Sequence, residues 1–324
     1  MPGYGTMQGM PPAVDVTELG RTFVTGRGRH RRTVEAVDGI TFSVEPGERV
    51  AYIGPNGAGK STSIKMLTGI LHPTRGTASV LGLVPWRERR ELTKRIGTLF
   101  GQRSQLWLEL TSRQSFRMLG AIFGLSDDAL ARRTAELGEL LDANELFDAP
   151  CRGLSRGQRM RCELAACLLH EPEILFLDEP TIGLDLLGKT ALRELLVRLN
   201  DERRTTIFLT SHDVADIEHV ARRVIVINHG SLIYDAEVAA VRRTLLATKL
   251  VEVTLGHPVE PVALDGVTVT STSATTLELV VDTNAMPVRR LLDLLLDVYP
   301  VVDLSVSDPP LEQVIAEIYA APPP

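Results

Sequence analysis

Between a short β-branched run and a helical stripe lies Gly54-Pro55-Asn56-Gly57-Ala58-Gly59-Lys60-Ser61, a segment that few folds can accommodate. Its spacing is G-x-x-x-x-G-K-[ST], in which glycines let backbone N–H groups converge on phosphate oxygens at the start of a helix. The context agrees, because Arg49 to Ile53 reads as a strand and Ser61 to Thr68 carries Ile64 and Leu67 at helical spacing. In such a loop Lys60 reaches the β- and γ-phosphates, Ser61 holds magnesium through its hydroxyl, and Thr62 adds a donor at the helix start.

A second segment supplies acid. Ile174-Leu175-Phe176-Leu177-Asp178-Glu179-Pro180 is an apolar strand ending in two carboxylates. A buried strand delivers such groups to its C-terminal edge, beside bound phosphates. Asp178 is placed to bind the magnesium, and Glu179 to polarise an attacking water as general base. Strands at Thr206 to Thr210 and Val224 to Ile227 follow, with the stripe Leu192, Leu195, Leu196 and Leu199 on the helix between. Strands alternating with helices predict a largely parallel, buried sheet.

Composition narrows the partners. A chain of 324 residues is long enough for a large domain and a smaller one. The net charge of -6 gives no broad basic field, so nucleic acid is not an expected partner. Arg27, Arg29, Arg31 and Arg32 are a local exception, read as a solvated hairpin tip between two strands. Cys151, Cys162 and Cys167 form neither a CxxC pair nor a cluster with His, so they read as idle thiols suited to a reducing compartment. Leu291 to Leu304 is interrupted by Asp293, Asp297 and Asp303, so no bilayer-spanning segment is expected there.

Leu154-Ser155-Arg156-Gly157-Gln158 opens a predicted helix ahead of the acidic strand. With that segment in place the chain resembles the ABC ATPase family, whose signature is usually LSGGQ and from which Arg156 departs. The resemblance runs from about Val14 to Asp235 and implies a P-loop NTPase core of α/β class, with an antiparallel β subdomain and a helical subdomain at about 106–170. It implies ATP and Mg2+ as cofactors and a head-to-tail homodimer, in which Ser155, Gly157 and Gln158 of one copy meet the nucleotide of the other. Gly183-Leu184-Asp185 resembles the D-loop. Ser211-His212-Asp213 resembles the switch segment, making His212 a γ-phosphate contact, and Phe23 stands where an aromatic stacks on adenine. Gln102 is the candidate for the glutamine that senses magnesium, with Gln105 as the fallback, since Gly101 intervenes after Ile96 to Phe100.

Residues 1–13 read as a loose tail, 14–240 as the nucleotide-binding domain and 245–324 as a small α+β accessory domain. The last has strand-like runs at Leu250 to Thr254, Val267 to Ser271 and Leu277 to Val281 and a helix near Pro287 to Asp297. Its end, Asp303 to Glu312, resembles the tail of bacterial drug-exporter ATPases of the daunorubicin- and viologen-exporter-like branch. The resemblance thus implies an ATP-hydrolysing subunit of an exporter, held on the cytoplasmic face of the membrane by separately encoded permease subunits. The alternative is a soluble ABC ATPase acting on ribosomes, DNA or cofactor assembly.

Overall fold

The computed structural model describes residues 11–25, 32–100, 104–241, 248–258, 264–273 and 275–307. They divide into two compact units that part between Asp235 and Ala236.

The first unit begins with β1 (Val14–Thr25) and β2 (Arg32–Val44), an antiparallel pair in which Val14 faces Val44 and Phe23 faces Val34. Next come β3 (Arg49–Ile53), α1 (Lys60–Leu67), β4 (Arg75–Val80), α2 (Arg89–Leu92) and β5 (Ile96–Phe100). Strand β1 lies between β2 and β4 in a three-stranded sheet. The helical region holds α3 (Ser112–Phe123), α4 (Asp127–Leu140) and α5 (Arg156–Leu168). Ser126 caps α4 by accepting from the Ala129 backbone N–H, and Asp127 and Asp128 sit in its first turn, where the helix dipole favours negative charge. The unit continues with β6 (Ile174–Asp178), α6 (Leu186–Arg203), β7 (Thr206–Thr210), α7 (Val214–Val220), β8 (Arg223–Asn228) and β9 (Ser231–Glu237), whose last two residues fall beyond the boundary.

Six strands form the central sheet in the order β5-β6-β7-β3-β8-β9, parallel from β5 through β8. The apolar runs of β6 and β7 are buried on both faces, as a covered parallel sheet requires. Leu175, Leu177, Ile207 and Leu209 pack toward the core of the helical region, while Ile174, Phe176 and Phe208 join a core shared with β1, β2 and α1. Phe208 anchors that second core, with ring centroids 5.3 Å from Tyr52, 5.5 Å from Phe176 and 6.1 Å from Phe42.

The second unit contains β10 (Thr248–Leu255), β11 (Val267–Thr272), β12 (Thr276–Asp282), α8 (Val288–Val298) and β13 (Val301–Ser307). Its antiparallel sheet has the order β11-β12-β10-β13. Alternate residues Val251, Val253 and Leu255, with Leu277, Leu279 and Val281, bury one face against Leu291 and Leu295 of α8. The run Asp303 to Ser307, read from sequence only as a tail, is part of β13. Arg27, Arg29 and Arg31 lie outside the described residues, as do 308–324.

Truncating Phe208 to Ala should destabilise the first unit by about 3–5 kcal/mol, because the surrounding rings can only partly collapse into the space. Urea unfolding followed by tryptophan fluorescence would measure it, and a change under 1 kcal/mol would remove Phe208 from its anchoring place.

Candidate functional site

The loop from Gly54 to Gly59 is shaped by two glycines. Gly54 follows β3 so closely against β8 that a Cβ there would sit 2.1 Å from the Ile227 carbonyl oxygen. Gly59 has φ 109°, a conformation side chains rarely adopt, and its Cβ would lie 2.3 Å from the Ala36 carbonyl oxygen. Gly59 is also the N-cap of α1 and offers no side-chain acceptor, so the first N–H groups of the helix point into the loop uncapped by a side chain. Asn56 and Gly57 are exposed at the tip, Pro55 and Thr62 are half-buried, and Ala58 is buried. Lys60 is 7% exposed and folds back to donate from Nζ to the carbonyls of Gly54 at 2.6 Å and Pro55 at 3.2 Å. Burial lowers its proton affinity, while the nearby carboxylates of Glu179 and Asp178 act against that.

Parallel pairing sets Asp178 at the end of β6 opposite Thr210 at the end of β7. The Asp178 carboxylate accepts from Thr210 Oγ1 at 2.7 Å and from Ser61 Oγ at 3.1 Å, which joins the acidic strand to the phosphate loop. Glu179 adopts φ 55°, a left-handed backbone that costs of order 1–3 kcal/mol in a residue with a Cβ. Its N–H donates to Thr210 Oγ1 and to the Thr210 carbonyl, and its Oε2 accepts from the His212 N–H at 3.2 Å. His212 Nε2 lies 2.9 Å from Glu179 Oε1 without hydrogen-bonding alignment, so this buried oxygen has no hydrogen-bond partner. Burial raises the Glu179 carboxyl above the ordinary carboxylate range, opposed by Lys60. Burial, then Lys60, lowers the proton affinity of His212, which favours the neutral imidazole.

These groups fit a magnesium nucleotide. Ser61 and Asp178 present a hydroxyl and a carboxylate side by side. Among the described residues no group of three or more His, Cys, Asp and Glu side chains could cage a metal alone. One hydroxyl beside one carboxylate suffices for Mg2+, which takes one or two protein ligands and fills the rest with phosphate and water. Glu179 Oε1 is a buried acceptor beside His212 Nε2.

A second group lies around the start of α5. Ser155 caps that helix by accepting from the Gln158 N–H at 3.2 Å, and Gln158 Oε1 accepts from the Ser155 N–H at 2.9 Å, a reciprocal capping box. Asp185 caps α6 by accepting from Gly188 N–H at 2.8 Å. Ser155, Gly157, Gln158 and Asp185 line one cleft of about 1120 Å³ with Leu184 and Met160. Arg156, the departure from the usual signature, lays its guanidinium against Gly183.

Phe23 is half-buried on β1, so it is not a core residue, and the Arg21 guanidinium lies 4.7 Å from its ring centroid. Gln102 lies outside the described residues. Gln105, the fallback, donates from Nε2 to the Thr98 carbonyl at 2.5 Å. Thr210 is the residue the sequence reading missed. Its signal is slight, a single hydroxyl ending the apolar run Thr206 to Thr210.

The ABC transporter family matches residues 37–182. The chain is 31% identical to the ABC transporter ATP-binding protein NatA of Bacillus subtilis over 63% of this chain and 82% of that one. It is 37% identical to the Nod factor export ATP-binding protein I of Burkholderia thailandensis, over 66% of this chain and 68% of that protein. A dimeric ATP-binding cassette in a post-hydrolysis state, bound to ADP and phosphate, superposes with a TM-score of 0.61 at 25% identity, covering 69% of this chain and 98% of that one. The chain therefore belongs to the ATP-binding proteins of the ABC transporter family. It is an ATPase, and ATP and Mg2+ are its cofactors.

Replacing Gly59 with Ala should weaken ATP binding at least about tenfold, because a φ of this sign and the Ala36 carbonyl both reject a Cβ. Titration with a fluorescent ATP analogue checks it, and unchanged affinity would mean that the loop does not hold the phosphates.

Proposed function

We propose that the chain is the ATP-hydrolysing subunit of an exporter and works on the cytoplasmic face of a membrane through separately encoded permease subunits. The observation that carries this reading is the convergence of Lys60, Ser61, Asp178, Glu179 and His212 at one end of the central sheet. In it, Gly54 to Gly59 cradle the phosphates, Lys60 pairs with the β- and γ-phosphates, and Ser61 with Asp178 holds Mg2+. Glu179 takes a proton from the attacking water through its unpartnered oxygen, and His212 faces the γ-phosphate. Thr62 donates at the helix start, and Phe23 stacks on the adenine. Mg2+ neutralises phosphate charge when bound. Gln102 senses the metal and couples the site to the permease.

Ser155, Gly157, Gln158 and Asp185 then complete the site of a second copy packed head to tail. Binding energy is released in the closed dimer and withdrawn when the γ-phosphate leaves. Among the described residues no helix is long and apolar enough to cross a membrane. One surface feature supports a membrane partner. Trp107, Leu108, Met118 and Ile122 expose apolar side chains in the helical region, where the family resemblance places the permease. Export rests on the similarity to a protein named for Nod factor export and on the resemblance of the C-terminal tail.

Glu179→Gln should keep ATP affinity within about threefold and lower kcat by roughly 100-fold or more, as loss of a general base does. Normal turnover in that variant would refute the assigned role. The ATPase rate of the parent protein should fall with decreasing pH through a midpoint above the ordinary carboxylate range, since the carboxyl is raised and must be ionised to act. A pH–rate profile reads it directly. A mild-detergent pull-down from the native host should recover integral membrane proteins. Recovery of only ribosomal, nucleic-acid or other soluble partners would favour the soluble ATPase.

A further inference from the structure

Behind Glu179 and His212 lies a buried carboxylate that the chemistry above does not use. Asp216, on α7, is 1% exposed. Its Oδ2 accepts from Thr181 Oγ1 and from Ser211 Oγ, each at 2.6 Å, and its Oδ1 accepts from Arg193 Nε at 2.6 Å. Thr181, Ser211 and Arg193 are themselves buried. Arg193 extends the network to Asp213 Oδ2 at 3.1 Å, which also accepts from Lys189 Nζ at 2.6 Å. Four segments therefore meet at this carboxylate: the turn after β6, the turn after β7, α6 and α7.

The positions of the two hydroxyl donors give the cluster its consequence. Thr181 stands in the turn that carries Glu179 away from β6, where the Ile182 N–H donates to the Glu179 carbonyl and the Leu184 N–H to the Thr181 carbonyl. Ser211 immediately precedes His212. One anionic group thus grips the turn that displays Glu179 and the turn that displays His212, whose functional atoms lie 2.9 Å apart. Glu179 holds a left-handed backbone that persists only where its surroundings over-determine it. A buried anion is costly unless its oxygens are filled by good donors, and here a guanidinium and two hydroxyls do so.

We propose that Asp216, with Arg193 as its counter-ion, is a positioning residue for ATP hydrolysis, fixing the turns of Glu179 and His212 relative to each other. This rests on the roles given to those two residues above. The same grip extends toward Asp185, because Thr181 begins the turn that leads to it. All three donors point at the carboxylate. An amide would have to set its NH2 against either Arg193, which cannot accept, or the two hydroxyls, which can rotate to accept. Asp216→Asn is therefore expected to fold with both hydroxyls reoriented.

Steady-state kinetics of the full chain with Mg-ATP, beside ATP binding and thermal unfolding, form the test. In Asp216→Asn, kcat should fall about 10- to 100-fold with KM and ATP affinity changed less than about threefold, since the phosphate loop is untouched. Thr181→Val keeps the Arg193 pair and removes only the grip on the Glu179 turn. It should lower kcat about five- to tenfold alone and add little to Asp216→Asn, because the two act through one contact. A kcat within twofold of the parent in either variant, or a fall in kcat matched by an equal rise in KM, would overturn the proposal. If Asp216→Asn does not fold, Thr181→Val decides by the same criteria. A normal Glu179→Gln would sink the reading of the site itself, whereas a slow Glu179→Gln beside a fast Thr181→Val would sink only the positioning role.

Discussion

The nucleotide end of the first unit depends on the parallel pairing of β6 with β7. That register sets Asp178 opposite Thr210, and Thr210 then receives or supplies hydrogen bonds to both Asp178 and Glu179. Both strands are apolar on each face, and a slip of one residue would exchange the side chains that face the two cores. Strand β3 pairs with β7 on its other side and delivers the phosphate loop to the same edge. Packing far from any phosphate thereby holds the reacting groups in place.

Within that frame burial shifts the proton affinities. Lys60 is nearly enclosed and keeps two carboxylates close by, while the same enclosure makes Glu179 a stronger base and His212 a weaker one. The left-handed backbone of Glu179 is of the same kind, a local cost tolerated where the surrounding hydrogen bonds hold the residue in place.

The signature segment is organised by different physics. Its serine and glutamine satisfy each other's backbone donors at the start of α5, so they would stabilise a helix terminus even without a nucleotide. Further along α5 the buried Glu163 receives the Ser104 hydroxyl and the Gln105 N–H, which ties this helix to the loop after β5. The second unit is simpler, one sheet face closed by one amphipathic helix.

Local patterns were readable because their physics is local. A glycine-rich loop between a strand and a helix, a carboxylate pair ending an apolar run, and the leucine stripe of α6 all follow from neighbours in sequence. Strand β13 was not readable, because its side chains are mostly exposed and it becomes a strand through pairing with β10. Gln105 illustrates the same limit, since only the fold shows its Nε2 donating to the Thr98 carbonyl. The sequence by itself determined the family, the phosphate loop and the acidic pair, because each is a contiguous run whose chemistry depends on spacing along the chain. The tertiary structure alone decided where Thr210 and Asp216 sit, because their partners Asp178, Thr181 and Arg193 are distant in sequence and meet them only when the sheet and its helices are packed.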